Sequence, residues 1–580
     1  MVDLSSGYRE YVMPSNSALH KKHLAIAISA ALAGVSPMAY SACSPVVSTI
    51  IVNTTTDYSL PDGNASITSL REALADAAAD TNCKSIVFDA SLNNQTITID
   101  TDAVAGKLEY PGPGSLNIIG PGSDMLTISQ TGSTGIGGDL VNLSGGDIDI
   151  SGLTFEGNNT ASNRAFYVDG DNLIVDDIVV QNFLNGGAYI NGDPGNAVSV
   201  SNSTATGNDS TGFTVESGDT TTITGVTTTN NTGRGLSISA SSSNETLTVT
   251  NLTATGNMNG GLQVNISDLS TATISDSTIS GNQSIFNGGG IAMDVNTNTS
   301  SATLSNLTVD NNTSSQRGGG IYIGSNGSVE IIDSTISNNT TDGTYSSSNA
   351  AATSGGGIHF ANTNIDGSAL ILQSTISGNS TLSAGGGIYV GTRASTANIN
   401  INSSTITDND AQFGGGVFAN DNGADINLSH TIVSDNTASS AETLDEDVGV
   451  AVDFFNNGDT QASYAFLGVD NGLTTNVVGS TLSGGSAMLA SLADNGGTTL
   501  THLPMDGSPV LETGDPAAVA GSGGVPTLDQ RGGSRIQFDF IDIGAVEVQQ
   551  PPASGGSSMI SPWLAGVLAA VMGLLRLRRR

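Results

Sequence analysis

From Ser151 to Thr437 the chain alternates apolar residues with Ser and Thr in short runs. In 272–282, Ala272, Ile274, Ser277 and Ile279 fall on one side, while Thr273, Thr278 and Ser280 fall on the other. A period of two marks β-strands, and no stretch of this region carries a helical period. Each run closes on one phrase, a small polar pair, a β-branched residue and an Asn. Clear copies are Ser277–Asn282, Ser334–Asn339, Ser374–Asn379 and Ser404–Asn409. Weaker copies end at Asn158, Asn182, Asn208, Asn231, Asn257, Asn312 and Asn436, which makes eleven in all. Five later copies are followed by a glycine triplet and a β-branched residue, beginning at Gly288, Gly318, Gly355, Gly385 and Gly414.

A unit of about 25 residues cannot bury a core alone, but stacked units can share one. Three strands and three turns would fill one coil of a right-handed parallel β-helix, the hand following the crossover rule for parallel strands. Eleven coils give a rod of roughly 50 Å. Asn282, Asn312, Asn339, Asn379, Asn409 and Asn436 would stack at one turn, their amides bonding from coil to coil. The glycine triplets suit positive φ or a close approach between coils.

Charge changes the picture of partners. The net charge is −37, and only nine of the sixteen basic residues lie between 43 and 556. Such a body repels phosphate backbones, so nucleic acid is not an expected partner. At the N-terminus, His20-Lys21-Lys22-His23, the apolar run Leu24–Val35 and the small residues of 39–42 read as a signal peptide. In an exported chain Cys43 and Cys83, the two cysteines, are expected to form a disulfide.

Ser69-Leu70-Arg71-Glu72-Ala73 opens a short amphipathic helix that would cap the first coil. This stretch resembles the CSLREA-type N-terminal region of exported bacterial β-helix proteins, with Thr68 in place of the motif's cysteine. Farther on stand Leu492–Gly497, His502, Gly507-Ser508-Pro509, Gly514-Asp515-Pro516, Asp529–Gly532 and Asp542–Glu547. In that order they resemble the C-terminal domain of the choice-of-anchor Q family, which implies a surface or secreted β-helix protein and no chemistry. Gly555-Gly556, the apolar run Met559–Leu575 and the terminal arginines are similar to the GlyGly-type sorting tails of Gram-negative bacteria. That resemblance implies cleavage near Gly555 and Gly556 by a rhomboid-family protease; the alternative is a permanent single-span anchor. The expected organisation is a signal peptide at 1–42, a cap region at 43–115, β-helix repeats at 116–440, a small β-rich C-terminal region at 441–548, a linker at 549–558 and a sorting or transmembrane tail at 559–580. The expected location is the cell surface, the outer membrane or the medium.

Candidate chemistry is sparse. Residues 145–440 hold no Lys and four Arg, among which Arg317 and Arg393 are candidate bases for a polysaccharide lyase. Asp176-Asp177 is the adjacent acidic pair that a glycosidase reading would use, with an ordinary turn pair as the alternative. His359 and His430 stand outside any metal-ligand spacing, so no metal or other cofactor is expected; Ca²⁺ on loops such as Asp445-Glu446-Asp447 stays open. The insertion Thr340–Ser354, with Tyr345, is a candidate recognition loop. The expectation is an exported, non-catalytic rod for adhesion or contact with an extracellular polysaccharide or cell-surface ligand. The alternative is a secreted polysaccharide lyase or glycoside hydrolase on the same fold.

Overall fold

The alternating runs form strands that pair in parallel, each with the equivalent run one coil on. The computed structural model describes residues 48–548, apart from 59–65, 80, 103–105, 133–137, 161–162, 344–352, 363–367, 392–397, 421–424, 440–453, 457–459, 469–474 and 480. The expected signal peptide, Cys43, Tyr345, Arg393, the Asp445–Asp447 loop, Gly555, Gly556 and the tail lie outside the described residues. Cys83 is not a free thiol. Among the described residues no helix is long and apolar enough to cross a membrane.

One coil shows the design. Thr271–Ser275 pairs with Ser301–Ser305, and Thr278–Ser280 pairs with Thr308–Asp310. Between the long and the short strand stands one residue with positive φ, here Asp276 at 52°. It turns the chain from one face of the large sheet to the other. The same corner is held by Asp177, Asn202, Gly225, Asn251, Asn306 and Asp333, residues that reach the left-handed region at small cost. A second left-handed residue, such as Gly281 at 63°, precedes each stacked Asn; this explains the small polar partner in the phrase. Later strands such as Ile291–Val295 form a second sheet, which runs from Leu108–Tyr110 to Phe454–Asn456. Ile, Val and Leu from all faces meet inside as one continuous core.

Nine asparagines, Asn208 to Asn436, form the ladder. Asn282 Nδ2 donates to Asn312 Oδ1 at 2.9 Å and to the Ala254 carbonyl at 2.9 Å, while its own N–H donates to Asn312 Oδ1 at 3.0 Å. The two first copies of the phrase do not belong to it. Asn182 takes the left-handed position, with Phe183 buried in the ladder's place, and Asn158 bonds the Gly132 carbonyl. Coils are not uniformly three-stranded either. From Gln283–Ser284 onward a two-residue strand is added, because the segment between the Asn and the next glycines is longer there.

The ladder overruns both limits of 116–440. Ser48–Val52 already pairs with Lys84–Phe88, and Phe466–Leu467 still pairs with Leu482–Ser483. The phrase marks a corner, so coils without that corner escape it. The helix Leu70–Ala78 lies against the first coils. Ser69 and Glu72 form a capping box, and Leu70, Ala73, Leu74 and Ala77 are buried. Arg71 clamps Asp57 at 2.7 and 2.9 Å and donates to the Lys107 carbonyl at 2.7 Å.

The C-terminal region is not a β-rich unit. Past Ser483 the described residues make only isolated bridges. They form an irregular strap that runs back along the rod over the short strands. Thr335 Oγ1 donates to the Leu500 carbonyl at 2.5 Å, Thr375 Oγ1 to Gln530 Oε1 at 2.7 Å, and the Ala545 N–H to Thr405 Oγ1 at 3.0 Å. Thr278 is exposed on its short strand, whereas Thr335, Thr375 and Thr405 are buried on theirs. The strap needs no ladder because side chains satisfy its backbone: Asp529 alone accepts from the N–H groups of Arg531, Gly533 and Glu547.

Candidate functional site

The sequence-adjacent pair Asp176 and Asp177 is split by the corner. Asp176 points out from the long strand and accepts from Ser201 Oγ at 2.6 Å and Asn202 Nδ2 at 2.8 Å. Asp177 holds the left-handed corner at φ 49° and accepts from Ser123 Oγ at 2.6 Å. The partner of Asp176 is Asp149, one coil earlier. In the parallel register Asp149 faces Ile174 and Ser151 faces Asp176, so the two acids are diagonal neighbours with Cα atoms about 7–8 Å apart. Burial, then the charge of Asp176, pushes the Asp149 carboxyl up to about 6. Counting back from Gly152 and Asp177, which share the corner, would have aligned these strands; the adjacency of Asp176 and Asp177 drew attention instead.

Arg317 does not join them. It stands in a turn beside the second sheet, hydrogen-bonded to Tyr322. It lies five coils beyond Asp176, about 24 Å along the axis. The candidate catalytic residues that are described are therefore not one site.

The outer file of the second sheet is richer. Tyr167 and Tyr189 stack with centroids 5.5 Å apart, and the Arg164 guanidinium lies 5.8 and 5.0 Å from their ring centres. Arg164 pairs with Asp139 at 2.6 Å, Tyr189 donates to Glu216 at 3.0 Å, and Asn191 donates to Asp169 at 2.8 Å. Burial and the adjoining Glu216 push the Tyr189 phenol up to about 12, so it serves as a hydrogen-bond donor and not as a base.

Four coils without rings follow, with Thr214, Ser237, Gln263 and Ala292 in the same file. Rings resume at Tyr322, His359, Tyr389 and Phe418, stacked at 5.7, 4.7 and 5.6 Å. The file thus steps down into a trough between Tyr189 and Tyr322, about 24 Å long at one coil spacing. Rings stacked along the axis turn their faces along it, so each end ring offers one face to the trough. Glu216 and Asp294 stand beside it on the neighbouring file. His359 is no base here: it is buried, bonded through Nδ1 to Ser354, and pushed down to about 3 by burial and then by Arg317.

The strap holds the most strongly perturbed groups. Arg535 is fully buried beside Asp529, Asp542 and Glu547. Carboxylate oxygens of Glu512, Asp542 and Glu547 lie within 4.8 Å of one another, but Arg535 already supplies positive charge there, and the set does not call for a metal. Burial, then Asp542, pushes Glu547 up to about 8; burial, then Asp529, pushes Asp333 up to about 7. Two histidines bridge strap and rod. His430 Nε2 accepts from the Asp515 N–H at 3.1 Å, and His502 Nε2 meets Ser377 Oγ at 2.8 Å. Burial pushes His430 down to about 4.

These shifts set a pH optimum for the docked strap. Raised carboxyls favour the fold when protonated, so stability falls as pH climbs from 4.5 toward 8. A depressed histidine favours the fold when neutral, so stability falls as pH drops from 6.5 toward 4, by about 3 kcal/mol for His430. Between 4.5 and 6.5 the two effects oppose each other. The strap's melting temperature should peak in that window and decline on either side; a maximum at pH 8 would contradict the assignment.

A family model described as "Right handed beta helix region" matches residues 134–303. No curated protein matches the chain in sequence. Among solved structures, the chain is similar to the A-module of mannuronan C-5 epimerase AlgE4 from Azotobacter vinelandii. The identity is 16%, covering 61% of this chain and 93% of that one, with a TM-score of 0.41. It is also similar to the AlgE6 A-module of the same organism, at 14% identity over 62% and 93% of the two chains, with a TM-score of 0.36. Pectate lyase Pel9A is similar at 14% identity over 87% and 98%, with a TM-score of 0.32. With the parallel registers above, the family match makes this fold a right-handed parallel β-helix.

Proposed function

We propose that this protein is an exported, non-catalytic rod that holds an uncharged glycan in the trough between Tyr189 and Tyr322. The trough itself carries the reading. Aromatic faces close its two ends, and hydroxyl, amide and carboxylate groups line its floor and flank at coil spacing, which suits a sugar chain with apolar ring faces and polar edges. Glu216 and Asp294 disfavour a polyanion. No base is poised at the trough: the phenols are raised and His359 is buried. Export and surface display are part of the proposal, supported by the signal-like segment before Cys43 and the tail after Gly556.

Affinity electrophoresis of the exported chain through neutral and acidic polysaccharides tests it. Tyr189→Ala and Tyr322→Ala should each weaken retardation by a neutral glycan roughly 3- to 10-fold, the worth of one aromatic contact. If no neutral glycan retards the protein, or both variants bind like the parent, the trough is not the contact surface.

One observation favours the enzymatic alternative. Asp149, half-neutral near pH 6, stands beside the hydrogen-bonded Asp176, as a general acid stands beside a carboxylate in glycosidases. Reducing-sugar release that disappears in Asp149→Asn would replace the non-catalytic reading with that one.

A further inference from the structure

The large sheet presents a surface unlike the trough. Four successive long strands, Thr220–Thr224, Thr246–Thr250, Thr271–Ser275 and Ser301–Ser305, pair in exact register. Their twelve outward positions are nine threonines and three serines, with no charged or aromatic side chain. Around the corner the short strands Thr204–Thr206, Thr227–Thr229 and Thr253–Thr255 repeat Thr-x-Thr.

β propensity favours Thr in any strand, but it does not account for this uniformity. The second sheet of the same coils carries Tyr189, Glu216, Gln263 and Asp294 outward. In a chain of net charge −37, a flat field this free of charge is a local departure.

We infer that this face of the large sheet binds an ordered lattice of water, the surface of an ice crystal. The coil spacing and the two-residue strand repeat set the hydroxyls on a grid of about 4.8 by 6.6 Å, close to the oxygen repeats on faces of hexagonal ice. A β-branched side chain is stiff at χ1, so each hydroxyl and methyl is held in place before contact. Each hydroxyl can both donate and accept, as lattice water requires. Neighbouring coils already link in this way: the Thr224 and Thr250 hydroxyls are 3.0 Å apart, and Thr229 donates to Thr206 at 2.9 Å. A neutral lattice needs no counter-charge, and the face offers none. A crystalline polysaccharide, the other regular partner, would be gripped by aromatic faces, which this surface lacks.

The test is partition of the exported chain into a slowly growing ice front, alongside inhibition of ice recrystallisation. The parent protein and a turn variant, Gln316→Tyr, should enter the ice and keep its grains small. Thr248→Tyr combined with Thr273→Tyr should stay in the liquid, with circular dichroism unchanged. Should that pair disturb the fold, Thr222→Lys with Thr303→Lys breaks the same grid by charge and should give the same loss. Exclusion of the parent protein from ice overturns the inference, as does retention of ice uptake by a folded grid variant. Adsorption to microcrystalline cellulose that the grid variants abolish, without ice uptake by the parent, also overturns it and makes the face a glycan surface.

Discussion

Asn339→Asp should unfold the middle of the rod at neutral pH. Asn339 Oδ1 accepts from both the N–H and Nδ2 of Asn312 at 2.9 Å, and its Nδ2 donates to Asn379 Oδ1 and the Val309 carbonyl at 2.9 Å. Aspartate keeps the acceptor but sets a second oxygen against two acceptors, with no water to screen it. Each buried group left unmatched costs about 1–3 kcal/mol, and the unpaired charge adds to that. The loss should exceed about 4 kcal/mol at pH 7 and shrink in acid, where a protonated carboxyl can again donate. Denaturant melts at pH 7 and pH 4 read both signs. A loss below about 1 kcal/mol at pH 7 would mean that the ladder does not hold the turn. Because coils bear on their neighbours, the damage should spread beyond one coil.

Arg535→Met should release the strap and leave the rod standing. The guanidinium is wholly buried, donates to the Asp542 carbonyl at 3.4 Å and to the Gly544 carbonyl, and faces Glu547, Asp529 and Asp542. Removing one side of a buried charge cluster leaves the other uncompensated, at about 3–5 kcal/mol. The strap's own apolar core is small: Ile432, Phe466, Ala487, Val510 and Ile543. Limited proteolysis should therefore cut within 486–548 in the variant while strand circular dichroism persists. Equal resistance of parent and variant would show that the strap is held by its contacts to the short strands alone.

Much of the rod could be read from the chain because its causes are local and repeated. Strand alternation, an Asn at a fixed corner and a Gly, Asn or Asp before it each follow from one coil's backbone. The errors were local too. Asn182 obeys the phrase yet sits one place early, because a left-handed residue and a ladder residue can both be Asn. The strap could not be read in the same way. Gln530 bonds Thr335, 195 positions away, and Gln373 reaches the Leu528 carbonyl, 155 positions away. The corner residues that break the Gly, Asn and Asp habit include Gln373 and His430, the two whose side chains reach the strap. The candidate site was half legible. Asp176 stood out beside Asp177, but its partner Asp149 follows only from register, and Tyr167 and Tyr189 become neighbours only when coils stack.

The amino-acid sequence by itself determined a parallel solenoid with its Asn ladder, its cap helix and a charge that excludes nucleic acid. Periodic burial and turn chemistry act within a few residues, so the order of residues suffices. The tertiary structure alone decided where the ladder begins and ends, which acids meet, where the aromatic file drops into a trough, and that the C-terminal region lies along the rod as a strap. Those features depend on which coil lies above which, and a one-residue shift in stacking would send each of these side chains to another neighbour.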